Sequence, residues 1–316
     1  MSFTMPTQSD LLKAYNNVVP HVHRTPVLTS SLLNKRAGAQ LFFKCENFQR
    51  MGAFKMRGAI NAIQQLSVQQ RKAGVVTHSS GNFAQALSLA ARELNVPAYI
   101  VMPNTAPQVK KNAVQDYGGI ITESEPTLKA REAAAHAIEQ QTGATFIHPS
   151  NDTHVILGQG TAAIELLEDY PNLEIVLTPV GGGGLVAGTA LACAYLGNNC
   201  STMAGEPAQA DDAYRSLKLG SIQTNESANT IADGLKTQLG DQNFPIIQKY
   251  VSKIILVEEL EIVQAMRLIW ERMKIIVEPS CAVPFAAVLK QPEVFANKQI
   301  GIVLSGGNVD LSNLPF

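Results

Sequence analysis

The chain has 316 residues, of which 46% are apolar and 16% charged, with a formal net charge of −1. Its length suits two domains or one large one, and its composition suits a soluble globular protein with a sizeable core. Near-neutral charge and scattered basic residues, with no aromatic-basic stripe, argue against a nucleic-acid or anionic-membrane partner.

In chain order, the N-terminal segment MSFTMPTQSDLLKAYNN lacks a basic region followed by an apolar core, so no signal peptide is expected. Ser9–Val18 reads as a short amphipathic helix, and Pro20 and Pro26 then impose extended chain. Gln40–Glu46 is a strand, a loop carries Lys55, and Ala59–Leu66 is helical. From Gly74 onward, short β-branched apolar runs alternate with helices of ten or more residues. The strand segments are GVVTHSS, PAYIVMP, GGIITES, ATFIHP, EIVLTPV, STMAGEP, KIILVEE and QIGIVLSGG. This alternation predicts an α/β fold of open, mostly parallel twisted sheets with helices on both faces. Ile175 to Gly205 carries no charge, but Pro179, Gly181–Gly184 and Asn198-Asn199 break it into strand, glycine loop, buried helix and turn, which excludes a membrane span. The four cysteines, Cys45, Cys193, Cys200 and Cys281, have no CxxC spacing and read as buried reduced thiols of a cytoplasmic protein.

In such sheets the ligand lies beyond the carboxyl ends of the strands. Lys55 stands in NFQRMGAFKMRGA, among small and aromatic residues at the expected first turn of a helix. Desolvation in a pocket of that kind lowers an ammonium pKa and makes the amine a nucleophile for an aldehyde; the plain alternative is a solvated lysine opening a helix. Gly181–Gly184 open a helix directly after an apolar strand, where backbone amides and the helix dipole favour a phosphate. Gly182, Gly184 and Ala187, with Glu206 about twenty residues on, also satisfy the dinucleotide fingerprint, so an NAD-dependent oxidoreductase is a competing reading. That fingerprint gives no role to Lys55 or to the turn Ser79-Ser80-Gly81-Asn82, whose amides suit a carboxylate and whose hydroxyls suit proton relay. In EPAQADD, Glu206, Ala210 and Asp212 bring two carboxylates and a carbonyl into one loop, a hard-oxygen set suited to Mg²⁺ or Ca²⁺.

Together GAFKMRGA, HSSGN, PVGGGGL, EPAQADD, TIADG and LSGGNVD resemble the fold-type II pyridoxal-phosphate enzymes, and within them the serine racemase and serine/threonine dehydratase branch. The resemblance spans nearly the whole chain. It implies a discontinuous large cofactor-binding domain, 1–67 and 152–316, and a small mobile domain, 68–151. It implies that Lys55 carries the pyridoxal 5'-phosphate and acts as base on one face, with Ser80 as acid/base on the other. Gly181, Gly182, Gly183 and Gly184 would hold the phosphate, Asn82 the ring hydroxyl and Ser305 the ring nitrogen, with Phe54 and Gly234 sandwiching the ring. Ser79, Ser80, Gly81 and Asn82 would take the substrate carboxylate, with Arg131 as helper. Glu206, Ala210 and Asp212 match the branch's divalent-cation loop, for Mg²⁺, Ca²⁺ or Mn²⁺. Ser30, Ser31, Gln85, Tyr117, Arg272, Lys274 and Asn308 resemble its ATP-binding set at a homodimer interface. Phe83 replaces a common histidine, Ser150 an asparagine of the animal racemases, and Met51 a threonine near the nucleotide set. LSGGNVD lies close to the last residue given, so the regulatory domain of biosynthetic threonine dehydratases is not expected.

The implied activity is removal of the Cα proton of L-serine or L-threonine. Loss of the β-hydroxyl then gives pyruvate or 2-oxobutyrate plus ammonia, whereas reprotonation gives D-serine. A serine at the ring nitrogen holds no proton there as a carboxylate would, so the ring is a weaker electron sink and either outcome must be fast. Dehydration of threo-3-hydroxyaspartate is the alternative within this chemistry. A non-catalytic cofactor- or nucleotide-binding protein is the alternative outside it.

Overall fold

The computed structural model describes residues 3–316; Met1 and Ser2, where the expected large domain and the signal-free segment begin, lie outside the described residues. The first layer of elements is α1 (Gln8–Val18), β1 (Val27–Leu28), α2 (Ser31–Ala37), β2 (Gln40–Cys45) and α3 (Lys55–Gln64). Next come α4 (Val68–Ala73), β3 (Val75–His78), α5 (Asn82–Glu93), β4 (Ala98–Pro103), α6 (Gln108–Asp116), β5 (Ile120–Ser124), α7 (Leu128–Thr142) and β6 (Thr145–Phe146). The chain continues through α8 (Thr153–Asp169), β7 (Ile175–Pro179), α9 (Gly184–Leu196), β8 (Ser201–Pro207), α10 (Asp212–Leu219) and α11 (Phe244–Tyr250). It closes with β9 (Val251–Val257), α12 (Glu259–Met273), α13 (Pro279–Lys290), α14 (Pro292–Phe295) and β10 (Gln299–Leu304).

Two sheets result. Strands β1-β2-β10-β7-β8-β9 form one and β5-β4-β3-β6 the other, and every pairing is parallel except the edge pair β1–β2. Alternate residues of each strand face opposite ways, so one strand feeds two cores. Ile300, Ile302 and Leu304 of β10 pack with α12 and α13 residues such as Ile269 and Phe285, while Val303 joins Ile156, Val186 and Ile247 from α8, α9 and α11. In the smaller sheet Val75 and Ile100 pack with α3 and α5, and Val76 and Val101 with α7. Helix α9 is buried along nearly its whole length, as its uncharged sequence requires, and no helix among the described residues is long and apolar enough to cross a membrane.

The expected strands and helices are present, with shifted ends. The helix expected from Ala59 begins at Lys55, because the turn before it is closed by hydrogen bonds to the β10 end. The strand expected through Glu46 stops at Cys45, where Glu46 turns inward to meet Arg57. The short helices α2, α4, α11 and α14 add to the expected set. All four cysteines are free and buried, as expected.

Candidate active site

The loop before α3 is tied to the turn after β10 by three hydrogen bonds, the first two of which form the bridge between Ala53 and Gly306. Phe54 N–H donates to Ser305 O at 3.0 Å, Gly307 N–H donates to Gly52 O at 2.9 Å, and Asn308 Nδ2 donates to Met51 O at 2.9 Å. Beneath α3, the fully buried Arg57 binds Glu46 and Glu165, and Lys44 joins Glu165 at 2.6 Å. Two cations against two carboxylates leave this quartet neutral, and it anchors the turn that presents Lys55.

Lys55 is half-buried at the start of α3, where the two sheets' site turns meet, and its Nζ donates to Pro149 O at 2.8 Å. The amine lies 5.0 Å from the Phe54 ring centroid and 5.8 Å from that of Phe83. Burial pushes its pKa down to about 8, against an upward pull from the Glu278 carboxylate. This raises the neutral, nucleophilic fraction at pH 7 to about a tenth, far above that of an ordinary lysine.

Pro149, which accepts from Lys55, leads into Ser150 beside the four glycines. A Cβ on Gly182 would lie 2.3 Å from Ser150 Oγ, and one on Gly184 would lie 3.0 Å from Ser150 O. Gly183 has a φ of +80°, and a Cβ there would lie 2.7 Å from Asn243 Oδ1. Asn243 Nδ2 donates to Gly182 O at 2.9 Å, which pins the loop, and no side chain caps α9. A bare helix N-terminus opening from a cradle that admits no side chain fits a phosphate. The same segment forms the β7–α9–β8 unit of the dinucleotide reading, but Glu206 is buried there. Its two oxygens accept the amides of Ala213 (2.8 Å) and Tyr214 (2.7 Å), so it does not serve a ribose.

Between lysine and glycines, the turn Ala232–Leu235 brings Gly234 against the loop. A Cβ on Gly181 would lie 2.7 Å from Leu235 Cα, and Gly234 N–H donates to Ser280 Oγ at 3.0 Å. Ser305 is buried at the end of β10. Asn82 Nδ2 donates to both oxygens of Glu278, at 3.0 and 3.1 Å, and Asn82 Oδ1 accepts from Asn308 at 2.8 Å. Burial, then the Asp233 charge, push the Glu278 carboxyl up to about 7. Glu278 and Asn243 carry no signal in the sequence that marks them for this site.

Across the cleft, Ser79, Ser80, Gly81 and Asn82 are half-buried at the end of β3, and space is open within 4 Å of where a Cβ on Gly81 would stand. Arg131 on α7 is half-buried, its Nε has no partner in the chain, and its charge helps to hold His78 below its ordinary pKa, after burial. His148 Nδ1 accepts the amides of Ser150 and Asn151, and burial pushes the ring down to about 4, so it is neutral with the proton on Nε2.

Of the remaining predicted residues, Asn308 belongs to the site through Met51 and Asn82. No group of three or more His, Cys, Asp or Glu side chains suited to a metal occurs among the described residues. Glu206 and Asp212 are nevertheless both buried, and both carboxyls are raised, chiefly by burial, Asp212 to about 6. Arg215, the nearest cation, pairs with Asp211 instead. Two buried carboxylates close enough to feel each other's charge are the part of a hard-cation set that the structure brings together, although both Glu206 oxygens also accept backbone amides. Of the nucleotide set, Ser30 caps α2, Ser31 begins it, Gln85 is buried on α5, and Tyr117 ends α6 beneath Arg92. Arg272 and Lys274 end α12, and Asn308 is committed to Met51 and Asn82.

The family model described as pyridoxal-phosphate dependent enzyme matches residues 18–306. The chain is 50% identical over 312 residues to β-hydroxyaspartate dehydratase of Paracoccus denitrificans, covering 99% of each. Its fold matches the crystal structure of serine racemase from Dictyostelium discoideum with a TM-score of 0.93 at 50% identity, over 96% of this chain and 99% of that one. It matches the crystal structure of T.th. threonine deaminase with a TM-score of 0.92 at 41% identity, over 98% of this chain and all (100%) of that one.

Proposed function

The chain belongs to the pyridoxal-phosphate-dependent enzyme family, and from that premise we propose that it is a serine/threonine dehydratase with serine racemase activity. The carrying observation is a half-buried amine, its pKa lowered to about 8, whose acceptor Pro149 leads directly into the wall of the glycine cradle. When bound, pyridoxal phosphate supplies an electron sink for charge developing at the substrate Cα.

The chain's own groups do the rest. Lys55 takes the Cα proton on one face, and Ser80, on the turn across the cleft, exchanges a proton on the other. Gly181–Gly184 bind the phosphate with backbone amides, and Phe54 and Gly234 fix the plane of the ring. Asn82 and Ser305 bond its hydroxyl and nitrogen. Ser79–Asn82 orient the substrate carboxylate, with Arg131 adding charge. Departure of the β-hydroxyl as water, then hydrolysis of the unsaturated amine, gives a 2-oxo acid and ammonia. Return of a proton from Ser80 gives the D-amino acid.

The same reading assigns Glu206, Ala210 O and Asp212 to Mg²⁺ or Ca²⁺. It assigns Ser30, Ser31, Gln85, Tyr117, Arg272, Lys274 and Asn308 to ATP at the interface of a cytoplasmic homodimer. It also assigns mobility to a domain of residues 68–151, which holds all four strands of the smaller sheet, against 1–67 and 152–316.

A second reading, dehydration of threo-3-hydroxyaspartate to oxaloacetate and ammonia, is favoured by the 50% identity to a β-hydroxyaspartate dehydratase over 99% of both chains. Assay of L-serine, D-serine, L-threonine and threo-3-hydroxyaspartate side by side tests both. Turnover confined to hydroxyaspartate favours the second reading, and no 2-oxo acid from any of the four contradicts both.

A further inference from the structure

Gln159 is fully buried on α8, and neither atom of its side-chain amide has a hydrogen-bond partner in the chain. An orphaned buried amide is costly, and it calls for a partner that the polypeptide does not supply. Its neighbours define where that partner lies. A Cβ on Gly158 would lie 2.6 Å from Arg57 O, and one on Gly160 would lie 2.6 Å from Gly188 O, so α8 packs tightly on α3 through one glycine and on α9 through the other. Gln159 therefore stands in the wedge between the two helices. Its Cγ would lie 3.0 Å from a Cβ on Gly58, and its Oε1 2.8 Å from a Cβ on Gly184. The amide thus looks onto the first residue of α9, from the side of the helix that Lys55 opens.

We propose that Gln159 is a phosphate-binding residue, its amide N–H closing the floor of the glycine cradle beneath the cofactor phosphate. A half-turn about the last side-chain torsion exchanges the amide oxygen and nitrogen, so the donor faces the anion once it arrives. The backbone amides at the α9 N-terminus reach the phosphate along the helix axis, and Gln159 reaches it from the side. The inference rests on the reading that the cradle takes the phosphate of pyridoxal phosphate.

The experiment titrates apo protein, as wild type, Gln159→Met and Gln159→Glu, with pyridoxal phosphate and with pyridoxal, which lacks the phosphate. Wild type should bind pyridoxal phosphate the more tightly, with a borohydride-reducible chromophore. Gln159→Met should weaken pyridoxal phosphate by about tenfold, and Gln159→Glu, which sets a carboxylate against a dianion, by about a hundredfold. Pyridoxal affinity should stay within about twofold in both, and the ³¹P resonance of the bound phosphate should move in Gln159→Met. The apo Gln159→Met protein should melt no lower than wild type, because it has lost an orphaned polar group. An equal loss of affinity for both ligands would mark a packing role and overturn the proposal, as would an unchanged affinity for pyridoxal phosphate. If wild type bound both ligands equally, the reading of the cradle would fall, and the proposal with it.

Discussion

Asn82 on the smaller sheet's first site helix donates both its contacts to Glu278, 196 residues away on the larger sheet's side, at 3.0 and 3.1 Å. This carboxylate is the junction between the two halves of the cleft, and it also faces the Lys55 amine electrostatically.

Burial lifts Glu278 from an ordinary 4.5 to about 7. The folded chain therefore binds more protons at this site than the unfolded chain between those limits, and the site's contribution falls as pH rises through about 7. Gln mimics the protonated form. Apo Glu278→Gln should melt within about 1 °C of wild type at pH 5 but about 4 °C or more above it at pH 8. Calorimetry at both pH values checks this, and a gain at pH 5 that vanishes at pH 8 would reverse the assignment.

Ser80 and Lys55 are assigned to opposite faces of the substrate, so they separate in their effects. Ser80→Ala should cut D-serine formation from L-serine by about a hundredfold or more, while pyruvate release from L-serine falls by less than about tenfold. Chiral analysis of both products from one incubation measures the split, and equal losses would remove Ser80 from the second face.

Much of this is legible in the sequence, and the illegible part has a common cause. Strand–helix alternation and apolar strands reveal parallel sheets, and a lysine and four glycines at helix starts carry the chemical reading proposed above. Glu278, by contrast, reads as an ordinary residue before a proline at a helix start, and only tertiary contact brings it to Asn82. Nothing in the sequence marks Lys44, Glu46, Arg57 and Glu165 as partners, yet they bury together as a neutral quartet. Helices α2 and α11 have two turns at most, too short for a periodic signal, although Ser67 and Gln70 of α4 do form a readable capping box.

The quartet gives a stability prediction. Arg57→Met leaves Glu46 and Glu165 buried with Lys44 as the one remaining cation of the quartet, which should cost about 3–5 kcal/mol. Denaturant titration of the apo protein measures it, and a loss below about 1 kcal/mol would show that solvent reaches the site.

If Glu206 and Asp212 hold a divalent cation, Mg²⁺ or Ca²⁺ at about a hundred times its dissociation constant should stabilise the fold by about 2.7 kcal/mol, read as a rise in melting temperature. EDTA should reverse the rise, and Asp212→Asn should abolish it. A melting temperature indifferent to both cation and chelator would exclude the site.

Covalent attachment of the cofactor is assigned above to the amine of Lys55. Borohydride reduction of the purified enzyme followed by peptide mass spectrometry tests it directly, with Lys55→Ala as control. The peptide containing Lys55 should carry a pyridoxyl phosphate adduct, and the variant should show no adduct and a loss of turnover of about a thousandfold or more. An adduct on a different lysine, or full activity in Lys55→Ala, would contradict that assignment.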